Sequence, residues 1–216
     1  MPCPALAARP DPRTHFSAVC TAEPLPIYAF LDYTSPLSYV TAAALRRIEA
    51  EGMAELHPLA FVTERGGDSA ALEADAEWEQ ARDLAAAAGL PLAAPTLLPR
   101  TAKAHEAARH ADQQGLGARM RAALYDAYWD RGVDIGRIDR LTEIGAAVGL
   151  DPEALGVVLG IDLHADQVAR ETAEARRLGI ECPPALVIGG GADARLLIGG
   201  QSYASLRAAL GHPFPS

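Results

Sequence analysis

The strongest constraint on the fold is a short apolar stretch, Pro26–Asp32, that runs directly into Tyr33-Thr34-Ser35-Pro36. The stretch is apolar on both faces, as a strand buried in the middle of a sheet is. Ser35 can cap a helix, and Pro36 suits its first turn because it brings no N–H to be satisfied there. The helix is predicted to run to about Glu51, with Gly52 as its stop. Leu56–Val62 predicts a second strand, which Pro58 places near an edge or a bulge, since proline cannot donate to a ladder.

Helical spacing then takes over. Ala74–Ala88 ends at Gly89, Thr101–Gln114 ends at Gly115, and Gly117–Arg131 carries Met120, Leu124, Ala127 and Tyr128 at helical spacing. Asp139 opens a helix with Leu141, Ile144 and Val148 inward and Gly149 as its stop, and Asp151-Pro152-Glu153 starts a short one. Leu90–Pro99 reads as a proline-bearing loop. His164–Leu178 is amphipathic, with Val168, Thr172, Ala175 and Leu178 on one stripe. The period changes after Gly179: Pro184–Ile188 and Arg195–Ile198 read as a hairpin, and Ser202 can cap a last helix running to Leu210.

Without the middle helices the order is β-α-β followed by α-β-β-α, the order of a thioredoxin-like sheet. The predicted fold class is therefore α/β, thioredoxin-like, with an all-helical insertion. Residues 26–66 and 160–213 are predicted to form the thioredoxin-like domain and 67–159 the helical subdomain, after a loose N-terminal extension at 1–25.

The 216 residues carry 19 basic and 28 acidic side chains, a net charge of −9. That balance argues against nucleic acid or an anionic membrane surface as a partner. The longest apolar runs, such as Leu84–Leu92, are too short to span a bilayer. Cys3, Cys20 and Cys182 cannot all pair, and no two have the spacing of a redox pair or a metal site. Met1–Pro26 has no apolar core of a signal peptide, so a cytoplasmic location is expected. Lys103 is the only lysine and alanine is abundant, which suits a GC-rich, bacterial genome.

Two apparent motifs are set aside. His105 and His110 are five apart and lie on different helix faces, whereas the zinc-protease motif needs four, so no metal is expected. Gly189-Gly190-Gly191 is not a nucleotide-binding fingerprint and is explained by a hairpin turn. Trp78, Tyr125, Tyr128 and Trp129 are expected to pack the helical subdomain, and the acidic run Glu73 to Glu79 to form a solvated helix face.

Three stretches resemble one known family. Asp32-Tyr33-Thr34-Ser35-Pro36-Leu37-Ser38-Tyr39 is similar to the active-site start of DsbA-like thioredoxin-fold proteins, where Cys-Pro-x-Cys-Tyr is usual. Ala123–Trp129, followed by Asp134-Ile135, resembles that family's helical insertion, as Pro99–His105 does its start. Gly179–Val187, with Cys182-Pro183-Pro184, resembles the family's segment around a cis proline. The resemblance covers roughly residues 26 to 211.

Ser35 and Ser38 stand where the family carries its cysteines. A hydroxyl cannot form a disulfide, so dithiol–disulfide exchange is not expected there. Within the same superfamily, 2-hydroxychromene-2-carboxylate isomerases and kappa-class glutathione transferases resemble this chain at Ser35-Pro36, and there the serine helps hold a glutathione thiolate. The resemblance thus implies glutathione as a cofactor and a small-molecule substrate. Ser35 and Ser38 would be the catalytic positions, with Pro36, Tyr39, Cys182, Pro183, Pro184 and Ser202 around the thiol. A helix N-terminus supports this, because its N–H groups and dipole favour an anion. The Asp-Arg pair usual before the last helix in those relatives is replaced by Gly199-Gly200-Gln201-Ser202, where Ser202 could receive a carboxylate.

Each position also has a plainer explanation. Ser35 and Ser38 can simply cap and solvate a helix start. Cys182 is expected to be a small buried apolar residue, as most unbonded cysteines are. A thiol-dependent isomerase or transferase is the leading expectation. A non-catalytic binding or chaperone-like member comes next, and a thiol oxidoreductase using Cys182 alone third. The oligomeric state, a homodimer included, stays open.

Overall fold

The computed structural model describes residues 24–63 and 76–211. The expectations for the N-terminal extension, for Cys3 and Cys20, and for the first residues of the acidic run lie outside the described residues.

Four strands form one sheet in the order β2-β1-β3-β4, with β1 at Leu25–Leu31, β2 at Ala54–Ala60, β3 at Ala185–Ile188 and β4 at Arg195–Ile198. β1 pairs parallel with β2 and antiparallel with β3, and β3 pairs antiparallel with β4. The strand read as central is central, and Pro58 lies on the edge strand β2. β2 begins two residues before the predicted Leu56, because Met53 follows directly on the end of the first helix and the ladder starts at Leu25 opposite Ala54.

The helices are α1 (Pro36–Ala50), α2 (Ala76–Ala88), α3 (Ala102–Gln113), α4 (Gly117–Trp129), α5 (Ile138–Val148), α6 (Pro152–Gly160), α7 (Ala165–Arg177) and α8 (Tyr203–Gly211). Gly52, at φ 67°, turns the chain out of α1 in the left-handed region that glycine tolerates. Alternation along β1 divides the core. Ile27, Ala29 and Leu31 face α1 and α8, where Leu45, Ile48 and Leu206 are buried. Phe30 faces the other way, against Ala175 of α7 and Ile180. Leu178 does not complete the α7 stripe: it follows the last helical turn and is 42% exposed.

Side chains from α3 and α7 cover the free edge of β2. Arg109 donates to Pro58 O at 2.7 Å, and Glu171 Oε2 accepts from Ala60 N at 2.8 Å while pairing with Arg109 at 2.5 Å. Thr172 Oγ1 accepts from Val62 N at 3.1 Å. Over Pro58–Val62, main-chain groups that an adjoining strand would have satisfied are thus satisfied by helices.

Candidate functional site

Ser35 is the N-cap of α1, with extended backbone, and its Oγ accepts the Ser38 N–H at 3.1 Å. Its hydroxyl hydrogen goes to Pro183 O, 3.3 Å away. The Pro183-Pro184 peptide is cis, and the segment carrying it faces the start of α1. Beside this contact lies a shallow recess with about 10 Å³ of free volume, lined by Thr34, Ser35, Thr63, Glu77, Cys182 and Pro183. Small-molecule pockets usually measure about 300–1,000 Å³, so this recess cannot enclose a ligand and has room for about one small group at a ligand's tip.

Of the residues singled out in the sequence, Ser35, Cys182 and Pro183 come together here, with Pro36 buried at the first helical turn and Pro184 buried behind. The others do not. Ser38 is 0% exposed and its Oγ accepts from Asp32 N at 3.3 Å, so it supports the turn from within. The Tyr39 ring stacks on Trp129 at 5.8 Å and belongs to the core. Ser202 caps α8 by accepting from Ser205 N at 3.0 Å and lines a different groove, with Val40, Arg46 and Leu84. Cys182 is not a fully buried apolar filler: it is half-buried on the recess wall. Glu77 also reaches that wall, so the acidic run is not wholly a solvated face.

The organising group beneath the site is Asp32, a carboxylate with no exposed surface. Its Oδ2 accepts from Thr63 N at 2.8 Å and from the Thr63 hydroxyl, and its Oδ1 accepts from Thr34 N at 3.3 Å. His105 Nε2 lies 3.8 Å from Oδ1 and, among the described residues, has no hydrogen-bond partner of its own. Burial pushes the Asp32 carboxyl up, but His105 and the Thr63 donors together hold it below its ordinary value. The sequence held one signal for Asp32: a carboxylate ending a strand that is apolar on both faces. Thr63, in an irregular segment, and His105, distant in sequence, gave none.

Aromatic rings hold this corner in place. Tyr33 packs against His105 at 4.6 Å and Tyr125 at 5.0 Å, and Trp129 donates to Tyr33 O at 2.9 Å. Burial raises the Tyr33 and Tyr125 hydroxyls above their ordinary range, so both stay protonated. Among the described residues, no group of three or more His, Cys, Asp or Glu is placed to hold a metal.

The strand order, the helix start at Ser35 and the cis proline opposite it define a thioredoxin-fold protein. The family model for the DSBA-like thioredoxin domain matches residues 26–211, and the chain belongs to that family. No curated protein sequence matches it. Among solved structures, the probable DsbA oxidoreductase of Streptomyces coelicolor is similar with a TM-score of 0.73 and 21% identity, over 89% of this chain and 92% of that one. A 2-hydroxychromene-2-carboxylate isomerase is similar with a TM-score of 0.72 and 16% identity, over 86% and 94%. The cytosolic disulfide reductase DsbM of Pseudomonas aeruginosa, with glutathione, gives 0.66 and 21%, over 86% and 99%. At these identities the likeness is one of fold. Among the described residues, no helix is long and apolar enough to cross a membrane.

Proposed function

We propose that the protein is a thiol-dependent isomerase or transferase of a small organic substrate, with glutathione as the thiol. One observation carries the reading: a serine hydroxyl at the start of α1 faces the cis-proline segment across a recess where the family's redox cysteine would stand. Ser35 contacts the sulfur, its hydroxyl exchanging Pro183 O for the ligand. The exchange costs little, because 3.3 Å is beyond the usual range of an O–H···O bond. The recess accepts a thiol end, and the remainder of the tripeptide lies along Pro183 and the neighbouring surface. The described part of the helical subdomain contributes Glu77 to the recess and would stand over the substrate, and a cytoplasmic location, where glutathione is reduced, accords with this chemistry.

Titration of the protein with glutathione, followed by calorimetry, tests the reading. A hydrogen bond to a charged sulfur is worth about 1.5–3 kcal/mol, so Ser35→Ala is expected to weaken binding by roughly tenfold or more on the alkaline side, where the sulfur is ionised. If the mutant binds as the parent does, Ser35 is a cap only. A parent that binds no thiol leaves a non-catalytic module as the better reading.

The half-buried position of Cys182 on the same recess supports a second reading, a thiol oxidoreductase working through that cysteine alone. Cys182→Ala separates the two: it abolishes thiol exchange in the second reading and spares glutathione binding in the first.

A further inference from the structure

We propose that Thr63 is the hydrogen-bond acceptor for the bound thiol, and that Asp32 is the positioning residue that makes it one. The inference rests on the reading of the recess as a thiol site. A threonine hydroxyl has a single hydrogen, and Thr63 gives it to Asp32 Oδ2, the oxygen that also accepts the Thr63 N–H at 2.8 Å. Asp32 has no exposed surface, so any hydrogen withdrawn from it leaves a buried charge short of a donor, which is costly. Thr63 therefore turns lone pairs toward the recess.

Ser35, which lines the same recess, has a hydrogen to give once it leaves Pro183 O. One lining side chain donates a hydrogen bond and another accepts one. A thiol matches both: its S–H points to Thr63 Oγ and a sulfur lone pair accepts from Ser35. A carboxylate or phosphate satisfies Ser35 but meets the Thr63 lone pairs and the charge of Asp32 behind them. The site thus selects a neutral S–H on entry and fixes its direction, with no bond broken. The titratable groups around this arrangement are His105 from α3, Tyr125 from α4, Glu77 from α2, Cys182 from the cis-proline segment, and Tyr33 beside Asp32.

The test is binding of glutathione and of 2-mercaptoethanol, as a minimal thiol, from about pH 5 to pH 10, around the ordinary thiol pKa. Thr63→Val should lose about threefold to tenfold in affinity on the acid side, the range of a neutral hydrogen bond, and should lower the apparent pKa of the bound thiol. Ser35→Ala should raise that pKa. Asp32→Ala removes the acceptor and frees the Thr63 hydrogen for the sulfur, so the bound thiol should ionise more easily. In the Thr63→Val background the same change should have little effect, whereas a direct charge effect of Asp32 would persist. Thr63→Ser should keep the parental profile.

A Thr63→Val profile equal to the parent's, or an Asp32→Ala shift that survives in the double variant, overturns the inference and leaves the thiol reading intact. A parent that binds neither thiol at any pH overturns both. Should Asp32→Ala fail to fold, the contrast of Thr63→Val with Thr63→Ser decides.

Discussion

Ser35 and Pro183, 148 residues apart, share a hydrogen bond of 3.3 Å from hydroxyl to carbonyl. Because the same oxygen also accepts the Ser38 N–H, one side chain caps α1 and latches the cis-proline segment to it. Ser35→Ala removes both interactions. The expected loss is about 1–2 kcal/mol, mostly from the cap, read as a lower urea midpoint with an unchanged slope. Ser35→Thr, which retains a capping hydroxyl, should recover most of it.

Dithiol chemistry is expected to be absent. With Ser35 and Ser38 at the positions of the family's cysteine pair, insulin reduction and disulfide formation should stay at background. Turnover that survives Cys182→Ala would falsify the argument. Turnover that disappears with Cys182 would instead bring the single-cysteine reading forward.

Trp129 joins the helical insertion to the loop that precedes Ser35 by donating to Tyr33 O at 2.9 Å. Trp129→Phe keeps an aromatic ring against Tyr39 but deprives a buried carbonyl of its donor. The cost should be on the order of 1–3 kcal/mol, measured by chemical denaturation. Because Tyr33 borders the Asp32–Thr63 arrangement, thiol affinity in this variant should fall as well.

Acid should weaken the fold in two stages. Burial, and then the charge of His164, lowers the His110 pKa below 6.5. The unfolded chain therefore takes up a proton before the folded one does, and stability falls as pH drops below that value toward the native one. Gln114 Nε2, 2.8 Å from His110 Nε2, suits the neutral ring. Asp32 adds a second loss. Its contribution is whole above the ordinary carboxylate value of 3.8 and disappears as pH falls through its lower native value. Melting curves from about pH 7 to pH 3 should show both, with His110→Gln flattening the first stage.

Much of this architecture could be read in the residues because the elements announce themselves locally. The two-sided apolarity of Pro26–Asp32 marks a central strand, the glycines end the helices, and the double proline marks the cis turn. What escaped is what only tertiary contact decides. Ser38 and Tyr39 follow the family motif in sequence, yet helical geometry turns Ser38 under Asp32 and Tyr39 into the core. Ser202 caps its helix as expected, but α8 presents it to another groove. Thr63 and His105 reach the site through pairings that span 31 residues to Thr63 and the insertion to His105, so no local pattern marks them.

The covering of β2 by Arg109, Glu171 and Thr172 has a consequence for misassembly. A stray chain seeking to extend the sheet along Pro58–Val62 would have to displace a guanidinium, a carboxylate and a hydroxyl. None of these is lost while α3 and α7 stay docked, so that border resists templating for as long as the helices hold. Resistance to fibril growth from β2 thus depends on helix packing rather than on the strand itself, and partial unfolding that frees α7 would expose a seed.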